Sequence, residues 1–74
     1  MVLTMQDTEG RNAGRVYYDP EGVSIEHADG RIATATLKAW GQARRKALKT
    51  GTLTPDHTTS QMAYIVARCF MAFT

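Results

Sequence analysis

From Arg15 to Ala35 apolar and polar residues alternate in short runs, and each run ends in residues that turn a chain. Arg15-Val16-Tyr17-Tyr18 precedes Asp19-Pro20-Glu21-Gly22, Val23-Ser24-Ile25-Glu26-His27 precedes Ala28-Asp29-Gly30, and Arg31-Ile32-Ala33-Thr34-Ala35 closes the series. Proline presets a turn dihedral, glycine accepts positive φ and Asp-Gly favours a hairpin, so the pattern predicts a three-stranded antiparallel meander. A period of two puts Val16, Tyr18, Val23, Ile25, Ile32 and Thr34 on the covered face, with Tyr17, Ser24 and Glu26 on the wet one.

The period then lengthens to that of a helix. Thr36 is placed to cap a helix from about Leu37 to Lys49, and Thr50-Gly51 supplies its stop after a basic last turn. On a helical wheel Leu37, Trp40, Gly41, Ala43, Ala47 and Leu48 share one arc, opposed by Lys38, Gln42, Arg45, Lys46 and Lys49. A loop from Thr52 to His57 leads to a last helix, started either by Pro55 in a first turn or by the capping-box pattern Thr58-Thr59-Ser60-Gln61. Met62 to Phe73 is helical under either start and apolar nearly all round, more than one small sheet covers. Gln6 to Gly14 is polar and aperiodic, which predicts a mobile N-terminal arm over residues 1–14 ahead of one domain over residues 15–74. The expected fold is therefore α+β: an arm, a three-stranded antiparallel meander and two α-helices packed on one face.

The chain has 74 residues, near the lower end of what one hydrophobic core stabilises, so outside help is worth seeking. It cannot come from an internal disulfide, because Cys69 is the only cysteine, and its place in an apolar run reads as a small hydrophobe. The absence of a basic, apolar leader in Met1 to Asp7 adds to this, and the expected setting is reducing and cytoplasmic. No membrane association is expected, since the apolar run Met62 to Phe73 is interrupted by Arg68 and a span needs roughly 20 residues.

Charge divides the chain in two. Residues 1–30 carry six acids against Arg11 and Arg15, a balance of −4, whereas residues 31–74 carry seven cations against Asp56 alone, a balance of +6. An acidic sheet and a basic helix on one molecule are suited to pairing between copies. The same acids disfavour groove reading by the sheet, because Glu21, Glu26 and Asp29 repel phosphate.

Two sets of binding residues follow. Excess apolar circumference on the last helix marks a protein interface or a homodimer seam, with Trp40, Arg44, Tyr64, Arg68, Phe70 and Phe73 as its anchors. Arg44 falls inside the apolar arc, so its guanidinium either meets Trp40 one turn away or reaches water while its stem covers apolar surface. The second set is Arg31, Lys38, Arg45, Lys46 and Lys49, a cationic face that lines up with nucleic-acid phosphates or simply keeps the molecule in solution. Catalysis is not expected: His27 and His57 are isolated, Cys69 has no activating partner, and the carboxylates lack the spacing of a calcium or phosphate loop. No cofactor or metal ligand set can be named.

Arg31 to Phe73, a short strand followed by two helices, resembles a ribbon-helix-helix repressor, in which paired strands of a dimer read DNA. The resemblance covers just over half of the chain. It departs from that pattern in a strand committed to an internal hairpin and in the long Thr52 to His57 connection. The expected function is that of a non-catalytic regulatory protein, of the size phages and plasmids encode as modulators, docking on a protein of a transcription-type nucleic-acid machine. The alternative is a dimeric transcriptional regulator that binds DNA or RNA directly through helix 37–49, and a small enzyme ranks last.

Overall fold

The computed structural model describes residues 1–70, and its first element lies where the sequence predicts an arm. Val2–Gln6 is a strand, β1, paired antiparallel with β2 (Asn12–Asp19). The reason is visible in side-chain direction: Leu3 and Met5 alternate with Val2 and Thr4, and Met5 is wholly buried. Asp7 closes the connection, its Oδ1 accepting from the backbone N–H groups of Glu9 and Arg11, both at 2.9 Å. The sheet continues through β3 (Gly22–His27) to β4 (Ile32–Ala35) in the order β1-β2-β3-β4, all antiparallel. The fold is α+β with four strands instead of three.

Aspartates build the other two turns in the same way. Asp19 Oδ1 accepts from Glu21 (2.8 Å) and Gly22 (3.0 Å), and Asp29 Oδ1 accepts from Arg31 (3.0 Å). These local hydrogen bonds from side chain to backbone hold a turn without help from the core. Register near the first turn shifts between Met5 and Gln6. Close by, buried Gly14 has φ +120°, and a Cβ there would run into the Glu26 carbonyl oxygen, so glycine is required.

The phase of β4 is opposite to the expectation. Ile32 is 72% exposed and Thr34 is exposed, while Ala33 and Ala35 turn inward opposite Ile25 and Val23. Small inward side chains leave room above β4 for a 3₁₀ turn at Arg68–Phe70 that packs on this strand.

Two helices cover the inner face. α1 (Leu37–Lys49) is capped by Thr36, whose hydroxyl accepts from Ala39 N–H at 3.0 Å. α2 (Thr59–Ala67) starts at the capping box, with Thr58 Oγ1 accepting from Gln61 N–H (3.1 Å) and Gln61 Oε1 accepting from Thr58 N–H (2.9 Å). Gln61 also donates to the Asp7 carbonyl at 3.3 Å, tying α2 to the first turn. α2 lies mainly on β1 and β2, and α1 leans on α2 and on β3. His57 serves the loop between them, its Nδ1 accepting from Thr54 N–H at 3.1 Å.

The core joins Met5, Val16, Val23 and Ile25 of the sheet to Trp40, Leu53, Ile65 and Val66. Leu53, 2% exposed, comes from a segment read as plain loop. No helix among the described residues is long and apolar enough to cross a membrane.

Candidate functional site

α1 is the more open of the two helices. Trp40 and Ala47 alone are buried in it, Trp40 held edge-on to Tyr18 (centroids 5.7 Å) and stacked on Phe70 (6.0 Å). Leu37, Lys38, Gln42, Arg44, Arg45, Lys46, Leu48 and Lys49 are exposed. At roughly 100° per residue these positions span about 200° of arc, so more than half of the helix faces outward.

The expected apolar arc is therefore split. The chain covers the Trp40, Ala43 and Ala47 side, whereas Leu37 and Leu48 stay 47% and 42% exposed. Spacing within the arc carried the signal: 37, 41, 44 and 48 form one row and 40, 43 and 47 another, and a helix that leans on a neighbour buries a single row. Sequence reasoning missed the first row by treating both as one face.

The cations of α1 are Lys38, Arg44, Arg45, Lys46 and Lys49, and the helix contains no acid. Among the described residues ion pairs join Arg11 to Asp7 and Glu9, and Arg31 to Asp29, none of them involving α1. Lys38, Arg45, Lys46 and Lys49 thus share an open face as expected. Arg31 does not join them, because its Nε is held 2.7 Å from Asp29 Oδ2 in the β3–β4 turn.

The expected anchors of a protein interface fall on separate surfaces. Arg44 is exposed and borders a groove of about 250 Å³ with Trp40, Leu3 and Met62. Tyr64 and Arg68 line a different cleft, the guanidinium 5.7 Å from the tyrosine ring centroid. Phe70 is half-buried against Trp40, and Phe73 lies outside the described residues. The premise of an over-apolar last helix is corrected over Thr59–Phe70. Ala63, Ile65, Val66 and Ala67 are buried, because β1 widens the sheet and Leu53 and Trp40 join the same core. What α2 and its 3₁₀ extension leave exposed is Thr59, Arg68 and Cys69, and the thiol is no core hydrophobe.

The cleft beside Tyr64 measures about 520 Å³ and includes Asp7, Asn12, His27, Asp29 and Arg31. His27 is 6% exposed, and its buried Nε2 has no hydrogen-bond partner among the described residues. Burial, and then the Arg31 guanidinium, push its pKa below the ordinary histidine value and favour the neutral ring, against the opposite pull of Asp29. Asp7 and Asp29 are held below the usual carboxylate range, each chiefly by a backbone hydrogen bond within its own turn. Both carboxylates are engaged as turn-forming anions. No group of three His, Cys, Asp or Glu able to hold a metal occurs among the described residues.

Comparison with protein-family models, with curated proteins and with solved structures finds no match to this chain.

Proposed function

We propose that this chain is a non-catalytic regulatory module that docks on a larger protein through α1. One observation carries the reading: five cations without an ion-pair partner among the described residues share a helix with two exposed leucines and no acid. A cationic helix face attracts an anionic surface and speeds encounter with it. Leu37 and Leu48 decide the class of partner, because apolar side chains gain from being covered by other apolar groups, which a sugar-phosphate backbone does not offer. The partner reads best as a protein with an acidic, partly apolar surface, of the kind that belongs to a nucleic-acid machine.

Direct nucleic-acid binding is the second reading, favoured by the contiguous stripe of Lys38, Gln42, Arg45, Lys46 and Lys49. Affinity capture with the intact chain and a Lys46→Glu/Lys49→Glu variant in parallel tests both. A protein captured by the wild type and lost with the charge reversal supports the docking reading, and nucleic acid captured with the same dependence transfers support to the second. Equal capture by both chains overturns α1 as the working surface.

A further inference from the structure

We propose that the row Leu37, Gly41, Arg44 and Leu48 is a docking seam for an acidic amphipathic helix of the protein partner. The inference rests on the reading of α1 as the working surface and names what that surface takes.

The steps between these residues are four, three and four, the alternation that keeps side chains along one seam between two helices. Lys38 and Arg45 each follow a seam residue and border it on the open side. Trp40 and Ala47 each precede one and are buried in the chain's own core, so the seam runs along the edge of the covered face.

Gly41 is the independent observation. A mid-helix glycine costs roughly 1 kcal/mol relative to alanine, which raises the question of what its missing side chain makes room for. Nothing among the described residues fills that room: a Cβ built there meets Arg45 Nη1 alone, at 3.4 Å, the far end of a long side chain. The missing side chain instead leaves a gap one turn from Leu37 and two turns from Leu48, bordered by the end of the Arg45 side chain, where a large apolar residue of a second helix is able to seat.

Charge selects the occupant. A second copy would bring its own five cations against these five, with no acid on either helix to relieve them. Nucleic acid satisfies the cations and leaves the leucines and the gap unfilled. A helix with leucines on its seam and glutamates beside it answers Lys38, Arg44 and Arg45 together with the apolar row.

The test is fluorescence anisotropy with a labelled synthetic helical peptide of about 20 residues, leucine at its seam positions and glutamate flanking them. A scrambled peptide of the same composition and a generic DNA duplex are measured beside it. The wild-type chain is expected to bind the ordered peptide at least about tenfold tighter than the scrambled one, and Leu37→Ser/Leu48→Ser to erase that preference. Gly41→Leu, which fills the gap, is expected to do the same. Far-UV circular dichroism verifies that each variant keeps its fold, and the exposed positions make this the expected result.

Equal binding of ordered and scrambled peptides, unchanged binding by the leucine variant, or no binding up to about millimolar peptide overturns the seam. Tighter, leucine-independent binding of the duplex overturns it in favour of nucleic acid, and leucine-dependent sedimentation as a dimer overturns it in favour of a second copy. The leucine variant also enters the capture experiment. If charge reversal abolishes capture and the leucine variant does not, α1 stands and the seam falls; if neither matters, both fall.

Discussion

Replacing Gly41 by alanine is expected to stabilise the protein. Glycine loses more backbone freedom on folding than alanine does, and in a helix interior the difference is roughly 0.5–1 kcal/mol. Two local costs are able to cancel this gain, and neither arises here. The backbone at Gly41 is not in the left-handed region, and the added methyl group makes an ordinary contact with the end of the Arg45 side chain. The whole difference therefore appears as a gain in folding free energy, because the unfolded chain has less freedom to lose, and in a domain of this size it raises Tm by roughly 2–8 °C. Urea and thermal unfolding followed by circular dichroism measure both quantities.

Gly51→Ala provides the contrast that makes the result interpretable. Its Cβ meets nothing within 4 Å, but φ is +80°, so alanine is expected to cost on the order of 1 kcal/mol. Destabilisation by Gly41→Ala equal to that of Gly51→Ala would refute the reasoning, because Gly41 would then serve the fold of its own chain. A gain in stability leaves Gly41 as a residue the chain keeps at a cost to itself, the pattern of a site shaped for function.

Three further outcomes follow from the structure. Gly14→Ala is expected to destabilise by more than about 2 kcal/mol, read as a fall in the urea midpoint, because a positive φ and a collision with the Glu26 carbonyl oxygen act together. Thr58→Ala removes the cap of α2 and is expected to cost about 1 kcal/mol in the same assay. His27 has its folded pKa lowered, chiefly by burial, so below about pH 6.5 the unfolded chain takes up a proton that the folded chain refuses. Stability is therefore expected to decline as pH falls from about 6.5 towards the folded pKa and to level off beneath it, and His27→Gln is expected to flatten that stretch of the curve.

The helices were legible because their signals are local. Thr36, Thr58 and Gln61 cap from side chain to nearby backbone, and such contacts do not depend on the rest of the fold. β1 was legible in principle and obscured by composition. Asp7-Thr8-Glu9-Gly10 repeats the spacing of Asp19-Pro20-Glu21-Gly22, and both segments are hairpin turns begun by an aspartate, though only the second contains proline. The phase of β4 was not legible. Ile32-Ala33-Thr34-Ala35 offers its large apolar residue to one face and alanines to the other, and the choice was made by a 3₁₀ turn far away in sequence that needs room. The seam on α1 failed for a related reason: whether Leu37 and Leu48 are core depends on how the helix leans, which is a tertiary fact.

The same geometry decides what the uneven charge of the chain is for. A −4 front half and a +6 back half suggest two copies joined acid to base. Four of the six acids of the front half, however, are committed locally. Asp7, Asp19 and Asp29 hold turns, and Asp7, Glu9 and Asp29 are also paired with arginines of those turns. Among the described residues the cations of α1 have no such commitment, so the acids that meet them best come from another chain. Salt separates the two contributions to that contact. Exposed charges are screened over about 10 Å at 0.1 M salt, whereas burial of Leu37 and Leu48 is not screened at all. Binding that weakens with salt towards a finite affinity, and loses that residue when the leucines are removed, is the behaviour this helix predicts; binding that vanishes with salt in both chains would leave the leucines without a role.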